Sequence, residues 1–299
     1  MKNKKQLSVM NGLTCTHISE RTWILTFDDN ISILLIRGKN HTFICDTHLG
    51  PESMSGVLEV LSSLPHAENL IIFNSHSDWD HIWGNCAFSD TLIIGHHTCR
   101  KRMQERGAFD LSRNLFLTRG PVTLQFPNLT FESGLCFEDD EVEFIYAPGH
   151  TIDSSICFDR KEKILYIGDL VEVPIPYIDY DQTDLYIRTL EMLLTFPADV
   201  IVSAHSGIIS RDLVRSNRTY IRSVQEGIEV DTQSFGSYKT VHQANLNTLL
   251  MFRYEAIARQ KLNERFDYAA FWSIIPDMSQ IETQDLENLL TRYLLEMPG

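Results

Sequence analysis

One six-residue segment constrains this chain more than any other, because it places several metal-binding side chains directly after a predicted buried strand. The strand is Leu70–Phe73, and the segment is His76-Ser77-Asp78-Trp79-Asp80-His81. A loop that leaves the end of a strand can aim such side chains at one point, whereas a helix directs residues two apart to different sides. Imidazole and carboxylate groups together bind Zn, Fe or Mn. The segment therefore predicts a divalent metal site; the alternative is a polar turn that caps a helix beginning near His81.

Three further candidates lie downstream, and each comes just after a predicted strand. His150 follows 144–146, Asp169 follows 164–167, and His205 follows 200–202. In layered α/β patterns, ligands bind at the edge where the strands end. We therefore expect these three side chains to lie close to the His76–His81 segment, although each by itself could be an ordinary loop residue.

The remaining pattern predicts strands first and helices later. Apolar and β-branched runs predict strands at 23–27, 31–36, 42–45, 70–73, 92–94, 144–146, 164–167 and 200–202. Helical periodicity predicts helices at 52–63 and 183–195, and after about residue 211 it replaces the strand pattern, notably at 240–266 and 282–296. We predict a strand-rich part at 1–215 and a helical part at 216–299.

Composition limits the partners that we expect. The chain has 26 Lys and Arg against 40 Asp and Glu, a net charge of −14, which disfavours a nucleic-acid partner and an anionic membrane surface. Its longest apolar run is five residues, Tyr268–Trp272, far below the roughly 20 of a membrane span. An apolar signal core is lacking, and the six cysteines form no C-x-x-C pair. We expect a cytoplasmic protein that acts on a small molecule.

In order and local context, the candidate residues resemble those of the metallo-β-lactamase-fold hydrolase superfamily. That family carries an H-x-H-x-D-H segment, a His in a P-G-H context, an Asp in a G-D context and a final His that often follows Gly. The resemblance spans about residues 10–215. It implies an α+β fold, an αββα sandwich with its metals at one edge. The catalytic domain would be 1–215, and the helical extension 216–299 would serve as an active-site cap or a dimer element.

Carried over residue by residue, the resemblance implies a ligand set for two divalent metal ions. His76, Asp78 and His150 would hold one metal, Asp80, His81 and His205 would hold the other, and Asp169 would bridge both. Asp80 would also be a catalytic residue, and a hydroxide between the metals would be the nucleophile. Zinc is the favoured metal, with iron and manganese as alternatives.

The sequence departs from the family pattern at two positions. Asp78 stands where the family usually has His, and a carboxylate favours Fe or Mn more than an imidazole does. Ala204 stands where Gly often precedes the final His, a change that is tolerable if the position needs no positive φ.

Around this set, other residues receive supporting roles. Tyr177 and Tyr180, in the loop after Asp169, are candidates for substrate contact, with plain packing as the alternative. Trp79 and Trp83 are expected to pack beneath the loop, with stacking on a substrate as the alternative. We expect Asp46, which follows the strand 42–45, to hydrogen-bond within the metal loops.

The implied function is a dinuclear metal-dependent hydrolase that acts on an ester, thioester, lactone or phosphoester. We favour a carboxylic ester or thioester, because the acidic chain argues against polyanionic substrates. Two alternatives remain: a dioxygenase-type oxidoreductase on the same fold, and a non-catalytic binding or signalling protein with a degraded site. Serine-hydrolase, P-loop and dinucleotide-binding motifs do not occur in the sequence.

Overall fold

The computed structural model describes residues 5–8, 12–64, 69–88 and 90–296. Its strands are β1 (Lys5–Ser8), β2 (Thr14–His17), β3 (Thr22–Thr26), β4 (Ser32–Arg37), β5 (His41–Cys45), β6 (Asn69–Asn74), β7 (Leu92–His96), β8 (Leu129–Phe131), β9 (Gly134–Phe137), β10 (Val142–Tyr146), β11 (Ser155–Asp159), β12 (Ile164–Tyr166), β13 (Val200–Ser203) and β14 (Gly207–Ile209). Its α-helices are α1 (Pro51–Ser63), α2 (Trp79–Ile82), α3 (His97–Arg113), α4 (Thr183–Thr195), α5 (Arg211–Glu226), α6 (Lys239–Leu262), α7 (Tyr268–Ser273) and α8 (Thr283–Glu296).

Residue contacts divide the chain into two units. The first contains 1–148, 153–170 and 196–210, and the second contains 149–152, 171–195 and 211–299. The boundary between 215 and 216 stays a prediction. Two sheets with helices, followed by helices at the C-terminal end, confirm the α+β class and the helical extension.

The first unit contains both sheets. One has eight strands in the order β1 to β8, antiparallel from β1 to β5 and parallel from β5 to β8. The other has six strands in the order β14-β13-β12-β11-β10-β9, and only its β12–β13 pair is parallel. Because β5, β6 and β7 run parallel, the loops that follow them leave from one edge of the first sheet.

The sequence of strand β4 is apolar because both faces of the strand are buried. Leu34 and Ile36 pack in a core that both sheets share, which includes stacked Phe73 and Phe144 rings with centroids 4.2 Å apart. Ile33 and Leu35 point to the opposite face, where α1 covers them with its apolar side. A strand that is buried on both faces has no polar alternation, so it reads as a continuous apolar run.

Hydrophobic periodicity gave no bounds for α3, and no strand was predicted at β8, β9 or β11. Of the seventeen residues of α3, only Cys99, Met103 and Gly107 are buried. Such a narrow apolar stripe does not produce the wide periodic face by which a helix is recognised in a sequence. Helix α3 carries Arg102, whose contacts lie close to the predicted metal ligands.

In the second unit, buried asparagines on α5 and α6 hold irregular segments of the backbone. Asn245 accepts a hydrogen bond from the Ile178 N–H at 2.9 Å and donates to the Pro176 carbonyl at 2.8 Å and to the Tyr220 hydroxyl at 2.9 Å. Asn217 binds the backbone of Glu172 in the same way. These side chains supply partners that irregular buried backbone cannot find within itself.

Replacing Asn245 with alanine is expected to lower the free energy of unfolding by about 2–3 kcal/mol, because it leaves buried backbone groups without partners. The matched control is Asn288→Ala on α8, where the side chain is exposed, and there a change within about 0.5 kcal/mol is expected. Urea unfolding of both variants measures the difference. Equal values for the two would show that the Asn245 hydrogen bonds do not stabilise the fold.

Over the described ranges, a search for membrane-spanning helices found none that is both long enough and apolar enough.

Candidate metal centre

The predicted metal-binding segment divides between a loop and a short helix. His76 and Asp78 lie in the loop after β6, while Asp80 and His81 belong to the single turn of α2, which begins at Trp79 and so earlier than the predicted start near His81. Asp78 precedes the helix but makes no side-chain hydrogen bond that caps it. Asp78 thus occupies the N-cap position without a side-chain capping hydrogen bond, which argues against the alternative that the segment is only a polar turn capping a helix.

Asp80, His81, Asp169 and His205 form one group, whose ligand atoms all lie within 4.8 Å of one another. Oδ2 of Asp169 lies 3.2 Å from Nε2 of His81 and 3.1 Å from Nε2 of His205. Oδ2 of Asp80 lies 3.3 Å from the same His205 nitrogen. Two imidazoles and two carboxylates thus converge on one point, which is a donor set suited to a divalent cation.

His76 and Asp78 form a second group within the first unit, and the assignment of His150 to this group stays a prediction. Oδ2 of Asp78 lies 3.6 Å from Nε2 of His76. The same His76 nitrogen lies 3.7 Å from Oδ2 of Asp169, so this carboxylate oxygen is close to imidazoles of both groups. The bridging role of Asp169 stays a prediction, and the geometry is the one that the role requires.

The backbone at positions 168 and 204, each just before a predicted metal ligand, suits the residue found there. Gly168 has φ +52°, and a Cβ there would lie 2.7 Å from Oγ of Ser75, so only glycine fits beside the His76 loop. Ala204 is buried and is not among the residues with positive φ. The position before His205 therefore needs no positive φ, and alanine is tolerated there without backbone strain.

A buried carboxylate beneath the site orients two of the imidazoles. Asp46 accepts a hydrogen bond from Nδ1 of His81 at 2.9 Å and from the Tyr166 hydroxyl at 2.8 Å. The Ser75 hydroxyl donates to Asp46 at 2.6 Å and lies 2.9 Å from Nδ1 of His76. With Nδ1 engaged in this way, Nε2 of each ring remains directed at the candidate metal position. The expected role of Asp46 is confirmed, whereas Ser75 and Tyr166 were not predicted.

His150 is held by a different partner. Its Nδ1 lies 3.1 Å from the backbone carbonyl of Tyr177, and its own carbonyl accepts the Asp179 N–H at 2.8 Å. Tyr177 thus has a structural role through its main chain, while the residue as a whole is 47% exposed. Substrate contact by Tyr177 and Tyr180 stays a prediction.

Trp79 in the segment and Trp83 just after it pack as expected. The side chain of Trp83 is buried, and the centroid of its ring lies 5.3 Å from that of Trp79. Both residues belong to an apolar cluster that includes Met103. They support the turn that carries Asp80 and His81.

Electrostatics within the first group are those of a cation site. Burial alone would raise the pKa of Asp169, but the imidazoles of His205 and His81 outweigh it and hold that pKa well below its usual range. Burial likewise disfavours the protonated rings, yet the neighbouring carboxylates, Asp169 first, raise the pKa of His81 and His205 well above the ordinary value. The carboxylates are therefore ionised, and a bound divalent cation would take the place of the imidazole protons.

Removing the carboxylate beneath the site should weaken metal binding. For Asp46→Asn we expect about a 10–100-fold loss of metal affinity, because His81 loses its charged hydrogen-bond acceptor. Competition with a chromophoric chelator measures the affinity. The exposed Asp139 provides the control, since Asp139→Asn removes the same charge at a distant surface position. Equal affinities for the two variants would exclude an orienting role of Asp46.

The fold and the site together define a two-sheet α+β protein with a candidate metal centre at the strand ends. The family model of the metallo-beta-lactamase superfamily matches residues 26–205, which is more than half of the chain. The chain belongs to this superfamily. The match ends at the last predicted metal ligand, His205.

Solved structures of metallo-β-lactamases share this fold at low sequence identity. TMB-1 is 16% identical with a TM-score of 0.58, covering 72% of this chain and 100% of its own. DIM-1 exposed to ceftazidime is 16% identical with a TM-score of 0.59, covering 73% and 99%. The enzyme from Erythrobacter litoralis, with β-mercaptoethanol in its active site, is 15% identical with a TM-score of 0.59, covering 73% and 100%. No curated protein matches the chain.

Proposed function

We propose that this protein is a dinuclear metal-dependent hydrolase. The observation that carries the proposal is the position of Oδ2 of Asp169, which lies 3.7, 3.2 and 3.1 Å from Nε2 of His76, His81 and His205. One carboxylate oxygen within reach of imidazoles from both groups is the arrangement that a bridging ligand between two cations needs. Zinc is the favoured metal, with iron and manganese as alternatives.

Two bound divalent cations would lower the pKa of a shared water and stabilise negative charge that develops on the substrate. The protein residues fix where this happens. Asp46, Ser75 and the Tyr177 carbonyl set the ring orientations of the histidines. Asp80, with a side chain that is 13% exposed, would orient the attacking water.

The substrate class follows from the reaction type and from charge. Attack by such a water suits a carboxylic ester, thioester, lactone or phosphoester. With a net charge of −14, the chain favours a small and weakly charged substrate over a polyanion. We therefore propose a carboxylic ester or thioester.

Metal analysis tests the proposal directly. Protein purified without chelators and loaded in parallel with Zn, Mn and Fe should contain about two metal ions per chain, separated by about 3.5–4 Å. Elemental analysis gives the content and X-ray absorption gives the separation. His205→Ala should lower the content, whereas His97→Ala should not, because His97 is exposed on α3 and lies outside both groups.

Less than one metal ion per chain after loading would overturn the proposal in favour of a non-catalytic binding protein. Turnover of an ester and thioester panel under anaerobic conditions separates the remaining classes. Hydrolysis that needs no oxygen supports the proposal, and activity that appears only with oxygen would indicate an oxidoreductase.

A further inference from the structure

Arg102, on α3, reaches the loop that carries Asp78. Its Nε donates a hydrogen bond to Oγ of Ser77 at 3.0 Å and lies 3.0 Å from Oδ1 of Asp153. Its Nη2 lies 3.9 Å from Oδ1 of Asp78. The Arg102 side chain is only 12% exposed and that of Asp153 is fully buried. A guanidinium in such surroundings is fixed in position and is not a mobile surface charge.

The two oxygens of Asp78 face different partners. Oδ2 lies 3.6 Å from Nε2 of His76, on the side of the second ligand group. Oδ1 faces Nη2 of Arg102. Oδ2 is thus available to a cation, while Oδ1 lies at ion-pair distance from a fixed positive charge, without a direct hydrogen bond to it. A carboxylate held in this way would bind a metal through a single oxygen.

We infer that Arg102 is a positioning residue for Asp78, which adapts this metal centre to a carboxylate where its superfamily usually has an imidazole. The inference rests on the proposed metal centre. The other ligands have comparable supports: Asp46 orients His81, Ser75 contacts His76, and the Tyr177 carbonyl contacts His150. An imidazole can use its second ring nitrogen for this purpose, whereas an aspartate has to use its second oxygen.

Asp153 explains how an arginine can stand beside a cation site. A lone guanidinium there would repel divalent metal ions. The ion pair with the fully buried Asp153 makes the Arg102–Asp153 unit electrically neutral as a whole. The unit can therefore orient Asp78 without adding net charge to the centre. Ser77, next to Asp78 in the chain, accepts from the same guanidinium and fixes the loop backbone nearby.

A double-mutant cycle tests the inference without using activity. The variant Arg102→Met/Asp153→Leu removes both members of the neutral unit, so the net charge stays constant. Titration with Co²⁺, followed by its visible absorption, should show about tenfold weaker binding at one of the two metal positions. In an Asp78→His background the same double change should have little effect on Co²⁺ binding, because an imidazole does not depend on the guanidinium.

The outcomes are distinct. Absence of Co²⁺ binding to the unaltered chain would overturn the proposed metal centre and this inference with it. Binding to the unaltered chain, with equal losses in both backgrounds, would overturn the inference alone, since Arg102 would then serve only the fold. If the double variant does not fold, Arg102→Lys replaces it. Lysine keeps the ion pair with Asp153 but lacks the planar guanidinium with its several N–H donors. It should give a smaller loss in the same direction, again absent in the Asp78→His background.

Discussion

Replacing Asp80 with alanine is expected to lower turnover by about 10²–10⁴-fold. The residue is assigned two tasks, since it would ligate one metal and would also orient the attacking water. Its Oδ2 lies 3.3 Å from Nε2 of His205 and 3.6 Å from Nε2 of His81, so it belongs to the geometry of the first group. The free energy of unfolding should change by no more than about 1 kcal/mol, because Asp80 belongs to none of the apolar clusters.

Steady-state kinetics on a substrate of the unaltered protein, together with urea unfolding, measure both quantities. Asp139→Ala is the control, because it removes a carboxylate from an exposed position of the same unit. Near-full activity of the Asp80 variant would show that the assigned role is wrong. A large loss of stability with the loss of activity would point to a structural role.

The candidate site could be read from the sequence because its residues are concentrated at strand ends. His76 to His81 stand six residues in a row, and Asp169 and His205 each follow an apolar strand. Strand ends at one edge of a layered fold lie close together, so a linear pattern was sufficient to predict that these side chains meet. The prediction needed no distances, which the structure then supplied.

The supports of the ligands could not be predicted in the same way. Tyr166 sits in a buried strand where an aromatic residue is ordinary, and nothing in the sequence shows that its hydroxyl reaches Asp46. Arg102 lies on a largely polar helix, 24 residues after Asp78 in the sequence. Its contact with Asp78 depends on how α3 packs. Pairings of this kind are set by tertiary packing and leave no local pattern.

Replacing Asp78, the residue that departs from the superfamily pattern, is expected to have a large effect on metal binding. Oδ2 of Asp78 lies 3.6 Å from Nε2 of His76, so the shorter side chain does approach its predicted partner in the loop. Three carboxylates would then face two divalent cations: Asp78, Asp80 and Asp169. Each additional carboxylate neutralises more of the cation charge and reduces the advantage of zinc over the harder Fe and Mn.

For Asp78→Ala we expect the loss of one of about two metal ions per chain, because His76 and His150 alone are too few ligands for a stable site. For Asp78→His we expect a shift of preference towards zinc and measurable activity, since the imidazole restores the ligand type usual in the superfamily. Elemental analysis and turnover of the unaltered protein and both variants, loaded in parallel with Zn, Mn and Fe, give the comparison. Identical metal content and preference in all three would show that Asp78 is not a ligand, and that its carboxylate serves the loop through Arg102.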